Sequence, residues 1–217
     1  MAGSAFPRLA WSNLAAQSAE QIGLAAMPLF AVLALGAGAG ETGFLQTAAT
    51  LPFLLLAIPA GVLADRMPRR RLMASAEAVR ALALVGTLAA AALGLLSLPL
   101  LALLAFVGAC GTVAYSVAAP ALVPALVPPA GLAAANARLE LARTVAFMGG
   151  PAVAGALVAW SGAVTAFAVA GALSIGAVFL LAGLREPARP PRRPGTRCAT
   201  CARARPLRSA IRCCCRS

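Results

Sequence analysis

The side chains that could do chemistry in this chain are few, and most of them are charged. Glu20 stands within a long, largely apolar stretch near the start of the sequence. A charge at the centre of a bilayer costs roughly 2.5–3.5 kcal/mol on insertion scales, so such residues usually face a cavity. Glu20 is therefore a candidate for contact with a substrate or a proton, with a hydrated position near the inner face as the alternative. Tyr115 is a second cavity candidate, with a place at the membrane interface as its alternative.

Two further charge pairs share one spacing. Glu77 and Arg80 are three residues apart, and so are Glu140 and Arg143. Residues three apart on a helix are neighbours on its surface. We interpret both pairs as structural ion pairs.

No combination of residues predicts an enzyme or a metal site. The chain has no histidine and a single aspartate, and it contains neither a nucleophile with a base nor a phosphate-binding loop. Cys198 and Cys201 form one C-x-x-C pair, but a second pair at a suitable spacing is absent. Cys213–Cys215 are consecutive, which suits tetrahedral coordination poorly. We expect no catalytic residue, no metal and no cofactor.

The densest charge cluster before the last forty residues is a short basic loop. It contains Asp65 and Arg66, followed by the three arginines at 69–71, and an uncharged run from Thr42 to Ala64 precedes it. A basic loop between two apolar runs predicts a tight turn between membrane helices on the cytoplasmic side.

Composition supports lipid as the solvent of this chain. Of its 217 residues, 61% are hydrophobic and 11% are charged, whereas soluble domains are about 45–50% apolar and about 25% charged. The net charge of +12 comes from arginines alone, and more than half of these lie at or beyond Arg185. Because the body between Gly36 and Leu184 is apolar, we do not expect a nucleic-acid partner.

The apolar runs predict an all-α membrane protein with six transmembrane helices in residues 11–184. Residues 1–10 are then a cytoplasmic tail and residues 185–217 a disordered tail rich in Arg, Pro and Cys. Pro52 and Pro59 are tolerable within a membrane helix. Four prolines between Pro120 and Pro129 predict that the fourth helix ends near Ala119. The predicted helices span about 11–36, 42–64, 72–95, 100–119, 132–160 and 163–184.

The arginines fix the predicted orientation. The outer connections near Gly36–Gly43, Leu96–Pro99 and Ser161–Gly162 contain no arginine. The inner segments hold the arginines at 8, 66, 69–71 and 138 together with the tail. An excess of arginine marks cytoplasmic loops, so we expect both termini in the cytoplasm.

Three motifs in this order resemble the major facilitator superfamily, and more narrowly the amino-terminal half of bacterial exporters related to macrolide and enterobactin efflux proteins. The first is the loop pattern Gly-x-x-x-Asp-Arg-x-Gly-Arg-Arg, with Pro68 in place of the second glycine. The second is the proline pattern that begins at Pro120 and ends at Asn136. The third, Gly150–Gly155, is similar to the antiporter motif Gly-Pro-x-x-Gly-Gly, with Ala154 in place of one glycine. The resemblance covers roughly residues 9–186.

The resemblance implies efflux of a small molecule by alternating access in the bacterial inner membrane, with this chain as one half of the six-plus-six bundle. The implied partners are the lipid bilayer, an unidentified small molecule, and a second half or a second copy. A homodimeric half-transporter and a non-transporting truncated protein are the alternatives. The predicted fourth helix lacks the intramembrane arginine of many drug:proton antiporters, so proton coupling is not implied.

The motif residues receive roles from the same resemblance. Asp65 would latch the inner gate by accepting hydrogen bonds from a helix start in the other half. The neighbouring arginines would lie over that gate or serve only as topology anchors, and Gly61 would allow close helix approach. The assigned gating residues are Gly61, Asp65, Arg66, Arg69 and Arg70.

The fifth helix carries the remaining motif. Gly150, Pro151 and Gly155 would kink that helix and let it pack closely on a neighbour. This arrangement fits either rocking between two states or helix packing alone.

The tail suggests a change of reading frame. Three consecutive cysteines, read one frame away, become leucines, and the altered frame resembles the central loop of these exporters. We therefore hypothesise that the sequence after about Pro194 is out of frame and that the gene is truncated.

Overall fold

The structure is a computed structural model that describes residues 5–183, except for the side chains at 5, 65, 121, 125 and 126. That part of the chain contains six long helices and no strand. They are α1 (Ala5–Leu35), α2 (Ala39–Arg66), α3 (Arg69–Ala92), α4 (Leu98–Leu126), α5 (Leu132–Ser161) and α6 (Ala163–Ala182). Each is long and apolar enough to cross a bilayer. The predicted fold class is confirmed: the chain is an all-α, multi-pass membrane protein.

Several helix ends differ from the prediction. Helix α1 begins at Ala5, so the second half of the predicted ten-residue tail is helical. Helix α3 stops at Ala92 instead of near Leu95, because the chain turns at Gly94 with a φ of 69°, a conformation that glycine adopts without strain. At the start of α2, Glu41 lies in the first turn and accepts a hydrogen bond from the Gly38 amide at 2.9 Å.

The largest correction concerns the prolines after the fourth helix. Helix α4 continues through Pro120 and Pro124 to Leu126, although the proline density predicted an end near Ala119. Each proline removes one backbone donor, and two losses four residues apart leave the rest of the ladder intact. The helix ends where Val127, which precedes Pro128, becomes extended with φ −128° and ψ 136°, as a residue before proline prefers.

The contacts among the first three helices and the last three follow the same pattern. Helix α1 packs on α5 and α6, while α4 packs on α2 and α3, and α3 packs on α6. Exchanging α1 with α4, α2 with α5 and α3 with α6 reproduces this set. Since helices joined by short turns alternate in direction, this is the contact set that an inverted repeat of two three-helix units would give.

The interior has two apolar clusters separated by a polar layer. One cluster includes Leu9, Met73 and Leu181, and the other includes Phe30 and Phe167. In the second cluster these two rings pack edge to face, with centroids 5.9 Å apart. Between the clusters, α1, α3, α4 and α6 contribute the polar residues Glu20, Glu77, Arg80, Thr112 and Ser174.

Candidate functional site

The centre of the polar layer is the guanidinium of Arg80. Its side chain is 4% exposed, and it pairs with Glu77 one turn earlier on α3 and with Glu20 on α1, at 3.3 Å to the Glu20 Oε2. Arg80 Nη1 also donates to the Thr112 hydroxyl on α4 at 3.3 Å. One arginine therefore joins three helices in the interior of the bundle.

Glu77 is fully buried, and both of its oxygens have partners. Oε2 accepts from Arg80, and Oε1 accepts from the Ser174 hydroxyl on α6. A buried carboxylate is tolerated when it is paired and its lone pairs are satisfied. The hydrogen bond from Ser174 to Glu77 fixes α3 against α6.

Tyr115 lies beneath Arg80 in the packed interior. The guanidinium carbon is 5.6 Å from the ring centroid, within the range of a cation–π contact. The side chain is only 1% exposed and belongs to the apolar cluster around Met73. Tyr115 was expected at a cavity or at the membrane interface; neither of the two cavities described below includes it in its lining, and its cavity role stays a prediction.

Asn13 joins α1 to α5 by a hydrogen bond near the apolar cluster around Met73. Its amide nitrogen donates to the Leu139 carbonyl on α5 at 3.2 Å. Its side-chain oxygen lies 3.5 Å from the Tyr115 hydroxyl. The polar layer therefore also reaches α5.

Glycines bring the helices of this layer together. A Cβ at Gly111 on α4 would overlap the Ala76 carbonyl on α3, and a Cβ at Gly150 on α5 would overlap Gln21 on α1. At Gly150, α5 therefore lies in close contact with α1. At Gly61 and Gly155 a Cβ would meet open space among the described residues, so the close approach expected at Gly61 is not made within this lobe. Pro151 lies inside α5 without ending it.

A cleft of about 750 Å³ opens between α1, α4 and α5, with one contribution from α2. Its lining includes both polar and aromatic side chains: Asn13, Gln17, Glu20, Phe53, Thr112 and Phe147. A smaller cavity of about 60 Å³ lies beside it, and Glu20, Phe53 and Thr112 line both. The side chain of Glu20 is 14% exposed, and its contact with a substrate or a proton stays a prediction.

The mouth of the cleft carries the second charge pair. Arg143 Nη1 lies 3.7 Å from Glu140 Oε1 on α5, and both side chains are about two-thirds exposed. Such a pair contributes only about 0.3–0.5 kcal/mol. The residues at the mouth of the cleft are thus solvated, whereas those at its floor are packed.

At the end of the bundle that carries the basic loop, two arginines bind the last carbonyls of α6. Arg70 donates from Nε to the Leu181 oxygen at 3.3 Å and from Nη2 to the Ala182 oxygen at 2.7 Å. Arg8 donates to the Gly183 oxygen at 3.1 Å. Cations at a helix C-terminus complement its dipole. Arg70 therefore anchors α6 within this lobe, and its predicted gating role stays a prediction.

The other residues of the basic loop are less informative. Arg66 is exposed and Arg69 is half-buried, while the side chain of Asp65 is outside the described part. The cysteine-rich tail also lies outside residues 5–183. Within those residues, no group of three metal-ligating side chains comes together.

Sequence reasoning found Glu20 but missed its partnership with Arg80. Glu20 follows Arg8 by about three helical turns, and Arg80 follows Arg69 by nearly the same distance, where both arginines were predicted to lie on the same side of the membrane. A rise of 1.5 Å per residue therefore places the two side chains at similar depth. Equal depth in the membrane and opposite charge could therefore have predicted the ion pair between Glu20 and Arg80. Ser174 and Thr112 gave none, because lone hydroxyl residues are common in membrane helices.

Comparison with protein-family models matches residues 24–209 to a family described as transmembrane secretion effector, MFS_3. The match includes α2 to α6 and the cleft residues that these helices contribute. It also continues past residue 194, where the hypothetical change of frame was placed, into a segment outside the described residues. A comparison with curated proteins found no match.

Proposed function

We propose that this chain, which belongs to the transmembrane secretion effector family of the major facilitator superfamily, is one six-helix lobe of a small-molecule exporter that works by alternating access. The observation that carries the proposal is the cleft between α1, α4 and α5, with Glu20 at its floor. Carriers of this superfamily bind substrate near the bilayer midplane, where two such lobes meet.

The inverted repeat supports this assignment. Three-helix units related by inversion are the building plan of each six-helix half in these carriers. The exchange of α1–α3 with α4–α6 preserves the helix contacts of this chain. Helices α1 and α4 are equivalent under that exchange, and both line the cleft.

A second lobe would cover the surfaces of α2 and α5. These two helices are the least buried of the six, and they expose large apolar side chains such as Leu54, Ile58 and Met148. In the assembled carrier, Asp65 at the inner end of α2 would contact the second lobe. The second lobe would be another copy of the chain or the carboxyl-terminal half of a carrier.

The proposed location is the bacterial inner membrane with both ends of the lobe in the cytoplasm. Arg8, Arg66 and Arg138 and the arginines at 69–71 lie at the ends or connections assigned to the cytoplasm, and the opposite connections contain none. This asymmetry is the basis of the orientation.

A dye-retention assay in cells tests the proposal. Bacteria without their own multidrug exporters would express the full chain, alone or with a carboxyl-terminal lobe of the same family. Retention of a cationic, a neutral and an anionic dye would be compared with that in empty-vector cells. We expect lower retention of at least one dye with the second lobe present, and lower retention with the chain alone would identify a homodimer. Unchanged retention of all three dyes in both arms, with the chain present in the membrane, would contradict the proposal.

A further inference from the structure

We propose that the small cavity beside the cleft holds a group of internal water molecules that complete the hydrogen bonding of Arg80. This inference goes beyond the proposed function, because it concerns the interior of the lobe and holds whichever molecule the cleft binds. Three features support it: a buried donor on Arg80, further polar groups on the cavity wall, and the space between them.

The guanidinium of Arg80 uses only part of its donor capacity within the protein. Its Nη1 donates to Glu20 and Thr112, and its Nη2 donates to Glu77. Its Nε–H is buried and has no acceptor among residues 5–183. Native proteins pair nearly all such buried donors with protein groups or with ordered water, because an unpaired one costs the free energy of its lost hydration. The Nε–H of Arg80 therefore requires an acceptor that the described helices do not supply.

Three other polar side chains line the small cavity together with Arg80. Glu20 accepts from Arg80 through its Oε2, so its Oε1 can accept from another donor. The Thr112 hydroxyl accepts from Arg80 and has its own proton to donate. The Thr87 hydroxyl donates to the Ala83 carbonyl at 2.8 Å, so its oxygen can accept. The cavity wall thus offers both donors and acceptors, and a water molecule can bond to both kinds of group.

The cavity has room for more than one water molecule. Its volume is about 60 Å³, and about 10–15 Å³ of such space holds one water molecule. Thr87 follows Arg80 on α3 by about two helical turns, or about 10 Å, so a single water molecule cannot join the two side chains. A cavity lined only by apolar groups stays dry, whereas each buried water needs about two to four polar partners. The four polar side chains of this cavity meet that requirement for a small group of water molecules.

The cleft is the route by which water reaches the cavity. Glu20, Phe53 and Thr112 line both spaces, so the cavity adjoins the cleft. Water beside Arg80 replaces part of the hydration that the guanidinium loses inside the bundle, which lowers the cost of burying a charge there. The cleft and the buried ion pairs of Arg80 then belong to one hydrated region of the lobe.

Radiolytic labelling tests the inference, since ionising radiation converts bound water into hydroxyl radicals that oxidise adjacent methionines. Met27 lines the cavity, whereas Met73 is fully buried in an apolar cluster and lines neither the cavity nor the cleft. The purified full chain in lipid nanodiscs would be irradiated in isotopically labelled water, and sulfoxide formation would be followed by mass spectrometry. We expect oxidation at Met27 to be at least about fivefold faster than at Met73. Equal rates would overturn the inference without any mutation.

Two variants at one position distinguish cavity water from other routes to Met27. Ala105 lines the cavity and is buried. Ala105→Leu puts a larger side chain into the cavity and displaces water, so oxidation of Met27 should fall toward the rate at Met73. Ala105→Gly leaves the cavity open and should keep the Met27 rate within about twofold of that in the native chain. An unchanged Met27 rate in a monodisperse Ala105→Leu variant would overturn the inference, and the native chain alone decides if that variant does not fold.

The labelling result and the dye-retention assay are independent. Fast oxidation at Met27 without export of any dye would uphold this inference and contradict the proposed function. Export of a dye with equal oxidation of Met27 and Met73 would support the proposed function and overturn this inference.

Discussion

Two glutamate–arginine pairs with identical spacing occupy opposite environments in this protein. Glu77 and Arg80 on α3 have side chains that are 0% and 4% exposed, whereas Glu140 and Arg143 on α5 have side chains that are 68% and 64% exposed. The first pair is joined by Glu20, Thr112 and Ser174 from three other helices. The second pair is an isolated contact at the mouth of the cleft.

This contrast shows that the spacing along a helix determines whether two charged side chains are adjacent. It does not determine how much the pair contributes to the free energy of unfolding. Within one helix, an i, i+3 pair is always adjacent. Its energetic role depends on whether neighbouring helices remove it from water, since removing one partner of a buried pair leaves a charge without compensation. Helices α4 and α6 cover α3 in this way, while the part of α5 that carries Glu140 and Arg143 borders the open cleft.

The largest predicted difference between the two regions is the response to removal of the arginine. Arg80→Leu leaves Glu77 and Glu20 without their shared cation and should lower the free energy of unfolding by about 3–5 kcal/mol. Reversible unfolding in mixed detergent micelles would measure the change. A decrease in the free energy of unfolding of less than about 1 kcal/mol would contradict the buried pairing of Arg80 with the two glutamates.

A second prediction concerns the close helix contact that buries the α3 pair. Gly111→Ala would place a methyl group against the Ala76 carbonyl and should destabilise the lobe by about 1–3 kcal/mol. Gly176→Ala on α6 is the matched control, because a Cβ there meets open space. The control should be neutral or slightly stabilising, and equal effects of the two variants would contradict the described α3–α4 contact.

The smallest predicted effect belongs to the exposed pair. Arg143→Leu should change the free energy of unfolding by less than about 0.5 kcal/mol, since the pair is solvated and screened. The same unfolding assay applies, now at low and high salt. A loss comparable to that of Arg80→Leu would remove the distinction between the two regions.

Much of the fold is predictable from the sequence, because the length and polarity of apolar runs determine which segments cross a bilayer. All six helices were predicted, and most of their ends lie within a few residues of the observed ones. The end of α4 was wrong because proline was treated as a helix stop, whereas Pro120 and Pro124 each remove only one hydrogen bond from a helix held by its neighbours. The start of α1 was wrong because polar residues near the amino terminus hid a continuous helix.

The site was less predictable than the fold. The cost of a membrane charge was enough to single out Glu20. The same reasoning could not distinguish Glu77 from Glu140, nor place Tyr115 in the core, because burial depends on which helix covers which face. That information lies in the packing of α1 and α4 against their neighbours and not in the local spacing of residues.

In this structure a cleft open to water leads through the six-helix bundle to the ion pairs around Arg80. The direct test is labelling by a charged maleimide in lipid nanodiscs, after replacement of the six native cysteines by serine. Gln17→Cys lies on the cleft, and Leu82→Cys lies on the outer face of α3, where the native side chain is 71% exposed in the bundle. We expect rapid labelling at position 17 and little at position 82, where lipid covers the helix. Labelling at position 17 as slow as that at position 82 would contradict a cleft open to water.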